Sequence, residues 1–151
     1  MTTTQARPAG DPVVDTSTEF GAHVAERLQR EHIAWLTTVG RSGGTPQPNP
    51  VWFLWRDGEF LLFSKPNQAK LRNIEANPRV SLNLNSSESG GEIAILTGSA
   101  RIDSDGATED EIADFTTKYR EPMVPLGYTA EQFYADYSVL VRITPDRLRG
   151  F

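Results

Sequence analysis

Hydrophobic residues recur along this chain with two different periods. From Glu19 to Arg30 they fall every four residues, at Phe20, Val24 and Leu28, which predicts an amphipathic helix capped by Ser17 or Thr18. Residues 33–39 (Ile-Ala-Trp-Leu-Thr-Thr-Val) are dense in β-branched and aromatic side chains and predict a buried strand. Residues 40–45, with Gly43-Gly44, turn the chain back. The next strand enters through Pro46, Pro48 and Pro50. Proline has no N–H to give a ladder, so it belongs at a sheet edge or a strand entrance. Some backbone groups here are therefore expected to stay unpaired within their own sheet, open to a ligand or a second subunit. Val51, Phe53 and Trp55 then share one face while Trp52 and Leu54 share the other. Apolar side chains on both faces predict a barrel wall that also meets a partner.

Asp57-Gly58 sits between two strand-like runs and predicts a tight hairpin, with Glu59 to Ser64 as its return strand. A short helix carrying Lys70, Arg72 and Asn73 follows and stops at Asn77-Pro78. Residues 79–85 alternate, with Val80, Leu82 and Leu84 inward. A polar turn leads to a long strand over residues 92–102, in which Gly98 predicts a bulge or a close backbone approach. Thr108 with Glu111, and Thr129 with Gln132, are capping boxes opening two further helices. Ile112, Phe115 and Tyr119 form the apolar stripe of the first, and the prolines and glycine of residues 121–128 make a connecting loop. The last strand runs over residues 138–144, with Val139, Val141 and Ile143 on one face and Pro145 as its stop. The sum is a mainly β domain of six antiparallel strands and two to four short helices. A small barrel with peripheral helices solves the edge problem for such a set. Residues 1–16 lack any period and read as a mobile tail, leaving residues 17–151 as a single domain.

Composition narrows the function. The chain is acidic, with a formal net charge of −5, and no broad basic face for nucleic acid is expected. No apolar run approaches the ~20 residues of a membrane helix, and the N-terminus does not read as a secretory signal. With no cysteine there is no disulfide, thiolate metal site or cysteine nucleophile, which fits the cytoplasm. His23 and His32 are nine residues apart, without metal spacing, and no metal site is expected. The acids Glu109, Asp110 and Glu111 read as favourable charges at a helix N-terminus.

Against this acidic background one stretch is basic. Between Lys65 and Arg79 four basic residues (Lys65, Lys70, Arg72 and Arg79) face one acid, Glu75. A strand end, the Ser64 hydroxyl, lysines and fresh helix N–H groups make a phosphate site. The adjoining Pro-Val-Trp-Phe strand supplies a flat apolar wall, which suits a phosphorylated ring system. No nucleophile elbow, zinc motif, Walker loop or dinucleotide fingerprint is present, so an enzyme here would borrow its reactive group.

The succession Pro-Val-Trp-Phe, Asp-Gly hairpin, Leu-Phe-Ser-Lys, Lys-x-x-Asn-Ile, Asn-Pro-Arg-Val-Ser-Leu resembles the pyridoxamine-5′-phosphate-oxidase-like split β-barrel family, an FMN-binding-protein-like fold. Within that family it is most similar to the actinobacterial deazaflavin-dependent oxidoreductases that use coenzyme F-420. The resemblance implies a homodimer with two cofactor sites at the subunit interface. It implies a ring lined by Pro50, Val51 and Trp52, a phosphate held by Ser64, Lys65 and Lys70 with Asn73 beside them, and an anionic oligoglutamate tail near Arg72 and Arg79. The reaction it implies is hydride transfer from the reduced deazaflavin to an electron-poor small molecule, with solvent, Tyr119, Tyr128 or Tyr137 as proton source. Arg147-Leu148 echoes the substrate motif of true pyridoxamine oxidases, but Arg149 stands where their proline is expected, which speaks against vitamin B6 oxidation. Two other readings stay open: an FMN-binding flavin oxidoreductase of the same fold, and a protein that carries the coenzyme, or handles haem, without turnover. The substrate is not legible.

Overall fold

A computed structural model describes residues 3–4, 12–42 and 44–151. The strands are β1 (Thr3–Thr4), β2 (Ala34–Thr38), β3 (Gln47–Val51), β4 (Leu54–Arg56), β5 (Glu59–Ser64), β6 (Arg79–Leu84), β7 (Ala94–Ile102) and β8 (Val139–Gly150). The helices are α1 (Glu19–Arg30), α2 (Ala69–Ala76), α3 (Glu109–Met123) and α4 (Ala130–Asp136). All strand pairs are antiparallel, and the sheet path runs β3-β2-β6-β7-β8-β5-β4, with β1 added beside β8. Its two end strands, β3 and β4, are consecutive in the chain and separated only by Trp52 and Phe53. The sheet therefore curls until its edges nearly meet, which is a split β-barrel.

The path holds seven strands where six were expected, because the segment through Pro46 and Trp55 breaks in two. β3 follows β2, whereas β4 follows β5. Asp57 and Gly58 both take positive φ (53° and 77°), the mirror-image turn that the strand twist favours. The alternation on the barrel wall is as read: Val51, Phe53 and Trp55 join the barrel core with Leu36, Leu82, Leu96 and Ile143, against which α1 lays Val24 and Leu28. Trp52 and Leu54 join a second cluster with Leu61, Phe115, Tyr119 and Phe133. The outer apolar face of this wall is thus covered by the chain's own α3 and α4. Among the described residues, no helix is long and apolar enough to cross a membrane.

Several boundaries differ from expectation for identifiable reasons. Pro145 does not end the last strand; it sits opposite Gly98, where the β7–β8 register shifts and no N–H is required of it. A Cβ on Gly98 would run into the Thr144 carbonyl, so glycine is needed for that approach. α3 continues through Pro122 to Met123, and its buried stripe is Glu111, Phe115, Tyr119 and Met123, with Ile112 to one side. Residues 1–2, 5–11 and Gly43 lie outside the described residues, so most of the expected tail does too. Its final residues pack: Val14 is buried in the barrel core with Val13 beside it.

Glu111 does more than favour a helix N-terminus. It closes the capping box with Thr108 and takes both guanidinium arms of buried Arg142, at 2.7 and 2.8 Å. Arg142 also donates to Asp103 (2.7 Å) and Glu59 (2.8 Å), so one cation ties β8 to β5, to the end of β7 and to α3. That guanidinium holds the Glu111 carboxyl down at about 2. A depressed carboxyl stabilises the fold above its ordinary value near 4.5, and the contribution is lost as pH falls toward 2. Glu111→Gln should cost on the order of 3 kcal/mol near neutral pH, because Arg142 would be left partly uncompensated. The same variant should show a shallower loss of stability between about pH 4.5 and pH 2, measured by urea unfolding across that range.

Candidate functional site

The break between β3 and β4 is stabilised by two neighbouring residues of α3. Phe53 N–H donates to the Tyr119 hydroxyl oxygen (2.8 Å), and the Tyr119 hydroxyl proton lies between the carbonyls of His32 (2.8 Å) and Phe53 (3.0 Å). Lys118 Nζ donates to the carbonyls of Phe53 (2.9 Å) and Leu28 (3.2 Å), with its charge 3.7 Å from the Phe53 ring centre. Burial lowers the Lys118 ammonium to about 8 and raises the Tyr119 phenol. The groups a ladder would have satisfied are satisfied instead by side chains.

This break opens a cleft. Continuing the β4–β5 register would bring Trp52 opposite Phe63, Val51 opposite Ser64 and Pro50 opposite Lys65. Instead β3 veers away to β2 and leaves a gap of about 210 Å3. Pro50, Val51 and Trp52 form its strand side, with Phe63 of β5 and Lys70 of α2 opposite. Leu126, Tyr128, Phe133 and Tyr137 close it from the α3–α4 connection and α4. The wall is built of stacked rings: Trp52 lies on Tyr119 (4.6 Å between centres, 10° between planes) and on Phe133, which stacks on Tyr137 at 4.6 Å. No carboxylate lines the cleft. At its mouth Leu126 is 62% exposed, beside Val124 at 71%.

Lys70 is the cation of this cleft. It is half-buried, burial lowers its pKa, and it has no hydrogen-bond or ion-pair partner among the described residues. Lys65 is exposed at the rim, its ammonium 5.5 Å from the Tyr137 ring centre. Of the residues singled out in the sequence, Pro50, Val51, Trp52 and Lys70 thus line one cavity, with Lys65 adjoining it. The others are engaged elsewhere. Ser64 is buried and its hydroxyl donates to the Lys65 carbonyl (2.8 Å). Asn73 donates to the Thr38 hydroxyl (3.0 Å) and so pins α2 to β2. Arg72 donates to the Asn67 carbonyl (3.0 Å), and Arg79 is held by Asp146 (3.1 Å) and Ser99 (3.1 Å). Tyr128 donates to Asp136 (3.0 Å), whose carboxylate pushes the phenol up to about 12, and Tyr137 lines the cleft. Tyr119 is fully buried and holds the strand break. His23 bonds Glu92 (2.6 Å) and the exposed His32 lies against Tyr119; neither faces the cleft. Among the described residues no three ligating side chains gather as a metal site would need.

Three larger but more open depressions, of about 440, 520 and 400 Å3, lie beside Trp35, beside Trp55, and beside His23 and Arg27, where Arg27 and Arg30 are paired with Glu31 and Glu26. The first holds no charged group; the second holds Lys118, which the strand break already occupies. Among these four, the 210 Å3 cleft joins an apolar wall to a cation without a partner among the described residues.

Comparison with known proteins agrees with this architecture. The family model described as pyridoxamine 5′-phosphate oxidase matches residues 20–151, and the chain belongs to that family. Among solved structures, the chain is similar to an F-420 reductase (23% identity, 94% of this chain and 98% of that one, TM-score 0.64). It is similar as well to a FAD-binding protein from Mesorhizobium loti (18% identity, 99% and 97%, TM-score 0.64). The heme storage protein HutZ from Vibrio cholerae is a further structural relative (19% identity, 87% and 94%, TM-score 0.65). At these identities the likeness is one of fold. No curated protein of similar sequence is found.

An unpartnered, half-buried ammonium weakens the fold that holds it. Lys70→Met should therefore raise the stability of the ligand-free protein, by less than about 1 kcal/mol because solvent still screens the charge. Thermal unfolding of the two chains side by side checks this.

Proposed function

We propose that this protein is an oxidoreductase that uses coenzyme F-420 to pass a hydride to an electron-poor small molecule, and that it works in the cytoplasm as a homodimer with each cofactor site completed by the partner subunit. The observation that supports this reading most is Lys70: a cation half out of water, without an anion, beside an apolar ring-sized wall. A phosphate on the ligand supplies the missing counter-charge. Lys65 at the rim adds a second positive charge for the same group. Pro50, Val51 and Trp52 would hold the ring, and the stacked Trp52 fixes that wall in place. Arg72, exposed on α2, suits an acidic tail; Arg79 would first have to release Asp146. Ser64 and Asn73 act by holding the end of β5 and the body of α2 where the lysines can converge.

Bound in the cleft, a reduced deazaflavin supplies a hydride. This chain's own residues bind, orient and exclude water. The acid-free lining and the apolar mouth at Val124 and Leu126 favour an uncharged, conjugated acceptor over a cationic one. Tyr137 is the hydroxyl best placed to face such a molecule, since the Tyr128 proton is engaged by Asp136 and the Tyr119 proton by backbone.

Titration of the purified protein with F-420 and with FMN, followed by absorbance, tests the reading. F-420 should bind, and Lys70→Ala should weaken that binding by about 1.5–3 kcal/mol. Added salt should weaken the wild type more than the variant. Equal affinity of wild type and Lys70→Ala would remove Lys70 from the phosphate site and the reading with it.

A further inference from the structure

We infer that Pro48 and Pro50 strip the free edge of β3 of hydrogen-bond donors, and that this edge is what selects a 5-deazaflavin ring over a flavin in the cleft. The inference rests on the functional reading above. It concerns which ring chemistry the site takes.

The register determines where each backbone group points. β3 pairs only with β2, through Gln47–Thr38, Pro48–Thr37, Asn49–Leu36, Pro50–Trp35 and Val51–Ala34. In an antiparallel ladder, alternate pairs exchange both backbone hydrogen bonds, and the pairs between them point their groups away. Proline cannot exchange both bonds. Gln47, Asn49 and Val51 are therefore the residues bonded to β2, and Pro48 and Pro50 are those whose backbone faces the open edge. The same alternation leaves Trp35 and Thr37 to bond β6, to which they are paired through Asn83 and Ser81. Along β3 the open edge therefore presents the carbonyls of Pro48 and Pro50 and no N–H.

Past the strand, Phe53 N–H is taken by Tyr119. Trp52 N–H is then the sole amide between Pro48 and Phe53 without a partner in the ladder or the strand break. The open edge offers acceptors and a single donor, at the place where Pro50, Val51 and Trp52 line the cleft. A flavin ring presents two adjacent acceptors, the C4 carbonyl and N5. A 5-deazaflavin carries C–H in place of N5 and needs one donor. Along this edge one N–H satisfies the deazaflavin and falls one short for the flavin, whose N5 would find no backbone donor there. The two prolines have a second effect in the same direction. They also deny β3 the donors it would need to zip onto β5, which keeps the cleft open.

The test uses two ligands that differ at a single ring position: FMN and 5-deazariboflavin 5′-phosphate, each titrated into the wild-type chain by fluorescence. The deaza compound should bind about ten-fold tighter or more. Pro50→Ala, which restores an N–H beside the cleft, should gain FMN affinity and narrow that ratio to below about three-fold. Equal affinity for the two ligands in the wild type, or an unaltered ratio in Pro50→Ala, overturns the inference while leaving the phosphate site standing. Binding of neither analogue, nor of F-420, removes the functional reading and this inference together. The wild-type ratio needs no substitution, so misfolding of Pro50→Ala would not shield the inference from refutation.

Discussion

One stretch of chain has to serve as both edges of a curled sheet, and the structure is arranged around how its backbone survives the change of neighbour. β3 is bonded to β2, β4 to β5, and two residues lie between them. A buried amide without a partner there would cost about 1–3 kcal/mol for each group. α3 removes that cost by presenting two consecutive polar side chains at one residue, so that the Phe53 N–H and C=O both find side-chain partners on Tyr119 and Lys118. The consequence is geometric. With the break fixed, Trp52 is turned out of the barrel onto Tyr119 and Phe133, and the space between β3 and β5 stays open.

The treatment of buried charge separates scaffold from site. Arg142 is buried against three carboxylates, and Arg27 is buried against Glu31 and the carbonyls of Asn85 and Glu92. Lys118 has two carbonyls and an aromatic face. In each case the cation joins elements distant in sequence and nothing is left over for a ligand. Lys70 has none of this, though it lies on a short helix pinned by Asn73 and anchored by Leu71 and Ile74. A cation half dehydrated and unmatched is costly to the free protein, and an anion bound beside it would recover that cost.

Much of this was legible wherever the controlling interaction is local. The Asp57-Gly58 turn, both capping boxes, the opposed faces of Val51 to Trp55 and the edge character of the Pro46–Pro50 run follow from dihedral preference and period. Lys70 and the Pro50-Val51-Trp52 wall were readable as a basic cluster beside an aromatic strand, though their meeting across a gap was not. What could not be read depends on partners far away in the chain. Pro145 looks like a stop until Gly98 is seen opposite it. Arg79 looks free until Asp146 arrives from the far end of β8, and Glu111 looks like ordinary capping until Arg142 reaches it. Tyr119 reads as one more apolar stripe residue, because nothing local reveals that its hydroxyl closes a gap in another element.

The two findings about the edge, its missing donors and its failure to close, are one finding seen from two sides. A strand that could donate toward β5 would pair with it, and the barrel would close over the space now lined by Lys70. A strand that cannot donate stays apart, and whatever enters must tolerate an edge made almost wholly of acceptors. The fold thus offers a cavity and a rule for filling it through the same two residues, Pro48 and Pro50. Fold alone does not assign chemistry within a family this broad. A difference as small as one ring nitrogen becomes decisive only where the donors of an edge are counted against the acceptors of the ring.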